Sequence, residues 1–173
     1  VTTLLRVLAS RWTRLVLVAM LAAAVQATVA AELPFLGVVA QPVLLLAVAV
    51  GAAHGPADGL LAGFVAGLVA DLAFGDVVGL GAVAIGAAGA TAGLLVAVFR
   101  DPPWWVRVAA MVVASGLGEA YVPVLKSLVG IDGWVRPRVV AVALLVAAMH
   151  LVVAPAILPL GRWVMREAPE ELR

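Results

Sequence analysis

The chain is 173 residues long, 65% hydrophobic and 12% charged, with a formal net charge of +1, and its mean hydropathy is +1.19. That composition excludes a soluble domain, and so small a net charge gives nucleic acid no electrostatic hold. With no cysteine in the sequence, disulfides, thiolate catalysis and thiolate-held metals are excluded as well.

Residues 1–14 read as an amphipathic cytoplasmic segment. Val1, Leu4, Leu5, Leu8 and Trp12 share one helical face, and Thr2, Thr3, Arg6 and Ser10 the other. A cytosolic extension of the first span fits the same residues. The first predicted span runs from Leu15 to Ala31. Arg6, Arg11 and Arg14 before it and Val29-Ala30-Ala31 at its end also imitate a cleavable secretory signal. A second span is predicted from Phe35 to Ala53, with Gln41-Pro42 in its first turn, and His54-Gly55-Pro56 breaks it.

The third span, Gly55 to Phe74, is built for close contact. Gly59, Gly63, Gly67 and Asp71 recur at four-residue intervals, so on a helix they form one slanted row ending in a carboxylate. Burying apolar surface gains little in lipid, and such rows let two backbones approach through dispersion. After a turn at Gly75-Asp76, a fourth span from Gly79 to Phe99 carries Ala82, Gly86 and Ala90 in one row and Gly89 and Gly93 in another, which predicts a close hairpin of spans three and four.

Arg100-Asp101-Pro102-Pro103 stops the fourth helix, since two prolines cannot continue its ladder. The fifth span is predicted from Trp104 to Leu128, with a kink where Pro123 removes the bond to the Glu119 carbonyl. A loop over residues 130–138 leads to a sixth span from Val139 to Leu160, and residues 161–173 form a short charged tail. The expected fold is therefore an all-α membrane protein, six transmembrane helices in one compact bundle over residues 15–160. Arg6, Arg11, Arg14, Arg100, Arg107, Arg162, Arg166 and Arg173 gather on one side, against Lys126, Arg136 and Arg138 on the other, which predicts cytoplasmic N and C termini. All the tryptophans fall at predicted span ends, where an indole keeps its ring in lipid and its N–H in water.

Three interior polar residues invite a functional reading. Asp71 and Glu119 lie at similar predicted depth, so they could share a proton or cation. The plainer alternatives are Asp71 held by water, Lys126 or Arg138 near the outer interface, and Glu119 in a kinked helix, bonded to Ser115 or to a neighbouring helix. His150 reads more naturally as a hydrogen-bonded packing residue than as a ligand, and no metal site is expected. Motifs for nucleotide binding, zinc hydrolysis or a nucleophile elbow are absent from the sequence. Ser115 and His150 are the only nucleophile and base an intramembrane hydrolase could use, and nothing in the sequence brings them together.

The stretch Gly59-x3-Gly63-Phe64-x2-Gly67-x3-Asp71-Leu72, followed by Gly79-Leu80, resembles the signature region of the MreD family of bacterial rod shape-determining membrane proteins. The turn before it departs from the family, where it is often basic, by reading His54-Gly55-Pro56-Ala57-Asp58. The resemblance implies a noncatalytic scaffold in the bacterial inner membrane that needs no cofactor. Its implied partners are the single-span protein MreC and, through the cell-elongation machinery, RodA, a class B penicillin-binding protein and MreB, with membrane lipid around it. It also implies a fold similar to the six-helix substrate-binding subunits of vitamin importers, so a small-molecule carrier is the alternative. Gln41, Glu119, Tyr121 and His150 make a sparse polar lining for such a carrier.

Overall fold

The computed structural model describes residues 10–30, 32, 36–75, 77–131 and 138–167. Among the described residues are six α-helices: α1 (Arg11–Val25), continued by a π-helical turn (Gln26–Ala30), α2 (Pro42–His54), α3 (Pro56–Phe74), α4 (Leu80–Ala97), α5 (Trp104–Leu128) and α6 (Arg138–Val164). Five of the helices are long and apolar enough to cross a bilayer, and α2 is not. The chain is a multi-pass membrane protein.

Unlike the predicted second span, which begins at Phe35, α2 begins only at Pro42 and has 13 residues. Phe35 itself lies outside the described residues. Helix cannot run through this entry for local reasons: Leu36 and Gly37 have positive φ, and Gln41, at φ −115° and ψ 77°, is held out of the helical region by the following proline. A helix of that length rises about 20 Å, against about 30 Å for the hydrocarbon core. Within this non-helical approach Val38 is buried and residues 39–41 are half-buried, whereas Leu36 is exposed.

Although short, α2 is the axis of the bundle. Each residue from Val43 to Ala52 is buried, and the other five helices all pack against it. Its leucines and valines belong to two apolar clusters. Leu44, Leu45 and Val48 join α4, α5 and α6 through residues such as Ala88, Met111 and Val146. Val43, Leu46 and Val50 join α1 and α3 through Leu15, Ala19, Ala62 and Ala66. Outside this shell, large apolar side chains such as Leu21, Leu144 and Val152 are exposed, as suits residues facing acyl chains.

The remaining boundaries differ from expectation by a few residues. The first helix begins at Arg11, so it spans the predicted junction between residues 14 and 15. The fourth stops at Ala97, and the sixth extends to Val164. Residues 1–9, Trp134, Arg136 and the end of the tail lie outside the described residues.

Helices α2, α4 and α6 end, and α1, α3 and α5 begin, at one end of the bundle, which carries Arg11, Arg14, Arg100, Arg107, Arg162 and Arg166. Trp12, Trp104, Trp105 and Trp163 are exposed there too. Some of these side chains tie helix C-termini together. His54 Nε2 is 3.0 Å from the Arg162 carbonyl, Arg107 donates to the Ala52 carbonyl, and Arg14 donates to the Arg166 carbonyl. A basic side chain satisfies carbonyls that a helix end leaves without N–H partners, and it complements the negative end of the dipole.

Candidate functional site

Helices α3 and α4 run antiparallel with their backbones in contact along the predicted glycine row. A Cβ built on Gly67 would lie 2.6 Å from the Ala82 Cα, and one on Gly63 would lie 2.8 Å from the Gly86 Cα. A Cβ on Gly86 would lie 3.0 Å from the Leu60 carbonyl oxygen, one on Gly59 or Gly89 would overlap the other's carbonyl, and one on Gly93 would overlap the Gly55–Pro56 peptide. No side chain larger than hydrogen fits those short separations. Methyl groups must not merely bend aside there, because the obstacles are backbone atoms.

The same junction includes a helix that the four-residue spacing does not point to. Gly51 of α2 meets the Gly89 carbonyl, and its Cα lies 2.6 Å from where a Gly59 Cβ would be. Three backbones thus converge at Gly51, Gly59 and Gly89. Two further glycines let α2 approach its other neighbours: a Cβ on Gly118 would lie 2.9 Å from Leu44 Cδ1, and one on Gly161 would lie 2.7 Å from the Ala49 carbonyl carbon.

Asp71, at the far end of the row, is buried at 4% exposure. Its Oδ2 accepts hydrogen bonds from the backbone N–H of Gly79 at 2.8 Å and of Ala82 at 3.2 Å. These groups belong to the N-cap and first turn of α4, which has no cap from its own side chains. The carboxylate therefore caps the next helix and lies at the positive end of its dipole. Gly81 makes room for it, since a Cβ there would overlap Asp71 Oδ1.

Beside Asp71, at the end of the bundle opposite Arg14, Arg107 and Arg162, is a cavity of about 190 Å³. Its polar walls are Gln26 from the π turn, Gln41 before α2, Asp71 from α3 and Lys126 from α5, and its apolar walls include Phe74, Val77, Ile85 and Val122. Lys126 is 8% exposed. Gln26 Oε1 also accepts the Val43 N–H at 3.5 Å, so it stands over the start of α2 as Asp71 does over the start of α4.

Glu119 is not among the residues lining this cavity, nor does it bond to Asp71, whose partners are the α4 backbone. It sits partly buried in α5, which continues as helix through Pro123. His150 lies deeper. Its Nδ1 is 2.7 Å from Ser115 Oγ, with both side chains at 2% exposure or less, and its Nε2 has no hydrogen-bond partner among the described residues. The pair thus comes within hydrogen-bond reach, which residue spacing alone does not predict, and a second polar tie joins Thr91 Oγ1 and Tyr121 Oη at 3.0 Å. Both link adjacent helices, α5 to α6 and α4 to α5. Among the described residues no cluster of three potential metal ligands occurs.

A family model described as rod shape-determining protein MreD matches residues 9–160 of the chain. No curated protein and no solved structure matches it.

Proposed function

The chain belongs to the MreD family of rod shape-determining proteins, and on that premise we propose that it is a noncatalytic scaffold of the bacterial cell-elongation machinery. The family match is the observation that carries this reading. Its role in rod shape is exerted, we infer, by binding the single-span protein MreC in the cytoplasmic membrane and supporting lateral peptidoglycan synthesis. RodA, a class B penicillin-binding protein and MreB are the further partners of that assembly.

The architecture supports a role through contact. The described connections are short, a single residue between α2 and α3 and a few between α4 and α5, so the outward faces of the helices form most of the available surface. The termini are taken as cytoplasmic because the arginines cluster at their end. A vitamin carrier gains nothing from the cavity, since about 190 Å³ falls below the roughly 300–1,000 Å³ of small-molecule sites.

Purification in mild detergent tests the proposal. An MreC-like single-span protein should accompany the chain, and depletion should turn rods into spheres. Cells that stay rod-shaped after depletion would defeat it.

A further inference from the structure

Helix α6 carries two prolines on the side that the bundle leaves uncovered. It packs on α5 and α2 through an inward row that includes Val146, His150, Ala154, Leu158 and Gly161, all buried. Pro155 and Pro159 lie on the other side and are exposed. Each lacks the N–H that a helix donates four residues back, so the carbonyls of Leu151 and Pro155 lose their helical partners. Side-chain donors among the described residues serve other carbonyls, those of Ala24, Ala52, Ala87, Arg162 and Arg166. Pro123 of α5 differs, being buried inside the bundle.

Depth makes these two carbonyls costly. At about 1.5 Å per residue, the Leu151 carbonyl is about 16 Å along the axis from Arg162 and that of Pro155 about 10 Å. With Arg162 at the interface, both fall inside a hydrocarbon core of about 30 Å. Acyl chains have no donor to offer there, and a backbone carbonyl facing them goes unsatisfied.

The same face has the spacing of a helix seam. Ala141, Ala148 and Pro155 recur every seven residues, and Leu145, Val152 and Pro159 recur in step four residues on. All are exposed except the half-buried Leu145, and Val152 is 81% exposed. A seven-residue repeat with this offset is the line along which one helix lies lengthwise on another. A second copy meeting it with its own α6 brings the same apolar residues and no side-chain donor. The occupant must therefore differ from this chain.

We propose that this face of α6 docks one transmembrane helix of another protein, whose serine, threonine, asparagine or glutamine side chain donates to the Leu151 or the Pro155 carbonyl. In the scaffold reading, on which this rests, the occupant is the span of the MreC-like protein.

Photo-cross-linking in cells that express the full chain with a tagged MreC-like protein tests the face. A benzoylphenylalanine at Val152 should cross-link to that protein, and one at Leu21 of α1 or Leu94 of α4, which are 64% and 59% exposed, should not. Pro155→Ala combined with Pro159→Ala restores both N–H groups to the helix. The pair should lower the MreC-like protein retained in mild detergent by about fivefold, the effect of one bond between membrane helices. The isolated variant should melt no lower than the wild type, which separates lost docking from misfolding. Unchanged retention in the double variant, or a cross-link from Leu21 or Leu94 in place of Val152, overturns the docking face and leaves the scaffold reading standing. A Val152 cross-link between two copies of the chain overturns it in favour of self-association. Should the MreC-like protein not accompany even the wild type, both readings fall.

Discussion

Replacing Asp71 probes a geometry that charge alone does not define. Both N–H groups that it accepts fall on one oxygen, Oδ2, so Asn can present its carbonyl oxygen to the same pair. Asp71→Asn should change stability by less than about 0.5 kcal/mol, whereas Asp71→Ala should lose about 1–2 kcal/mol, the usual range for removing a cap. Thermal unfolding in detergent separates them, and equal losses would show that the charge matters more than the cap. Ser115 and His150 call for a double-mutant cycle, because removing one partner leaves the other buried and unbonded. Ser115→Ala and His150→Leu should each destabilise, with a coupling of about 0.6–1.7 kcal/mol, as for hydrogen bonds between membrane helices. A coupling near zero would mean the 2.7 Å contact contributes nothing. Neither residue's partner could be read from the chain: Asp71 reaches across a turn to backbone, and Ser115 meets His150 only once the registers of α5 and α6 are set.

At the scale of the helix, the α3–α4 seam fixes which substitutions the bundle accepts. Leucine at Gly63 or Gly67 would drive a side chain into the opposite backbone, so each should cost about 3 kcal/mol or more, the upper part of the overpacking range. Expression and detergent melting report this, and a neutral Gly67→Leu would contradict the close approach. The four-residue rows made the facing sides of α3 and α4 readable, because small residues at that spacing have few other uses in lipid. Gly51 escaped the same reasoning. It stands among valines, leucines and alanines with no glycine row of its own in α2, and its place against Gly59 and Gly89 depends on a third helix crossing the pair. The start of α2 was misplaced because residues 35–41 are as apolar as the helix that follows, while Gly37 and Pro42 were the local breaks.

The molecule as a whole has one direction to establish, and its lack of native cysteine makes the measurement clean. With the arginine-rich end in the cytoplasm, Ser127→Cys should react with a membrane-impermeant maleimide in intact cells, and Arg100→Cys should react only after lysis. The reverse pattern would invert the molecule and place the cavity on the inner face. The overall helical bundle was readable from hydropathy, since five helices of 18 to 27 residues carry the signal. The remaining helix, α2, has only 13 residues and is too short to carry that signal. Its anchoring has a further effect. His54 and Arg107 fasten the C-terminal end of α2 to the arginine-rich face, so the whole shortfall of about 10 Å against the bilayer core falls at the other end. The hollow between Gln26, Gln41, Asp71 and Lys126 is the depth that this central post leaves unfilled, and adding one helical turn before Pro42 would plug it from below.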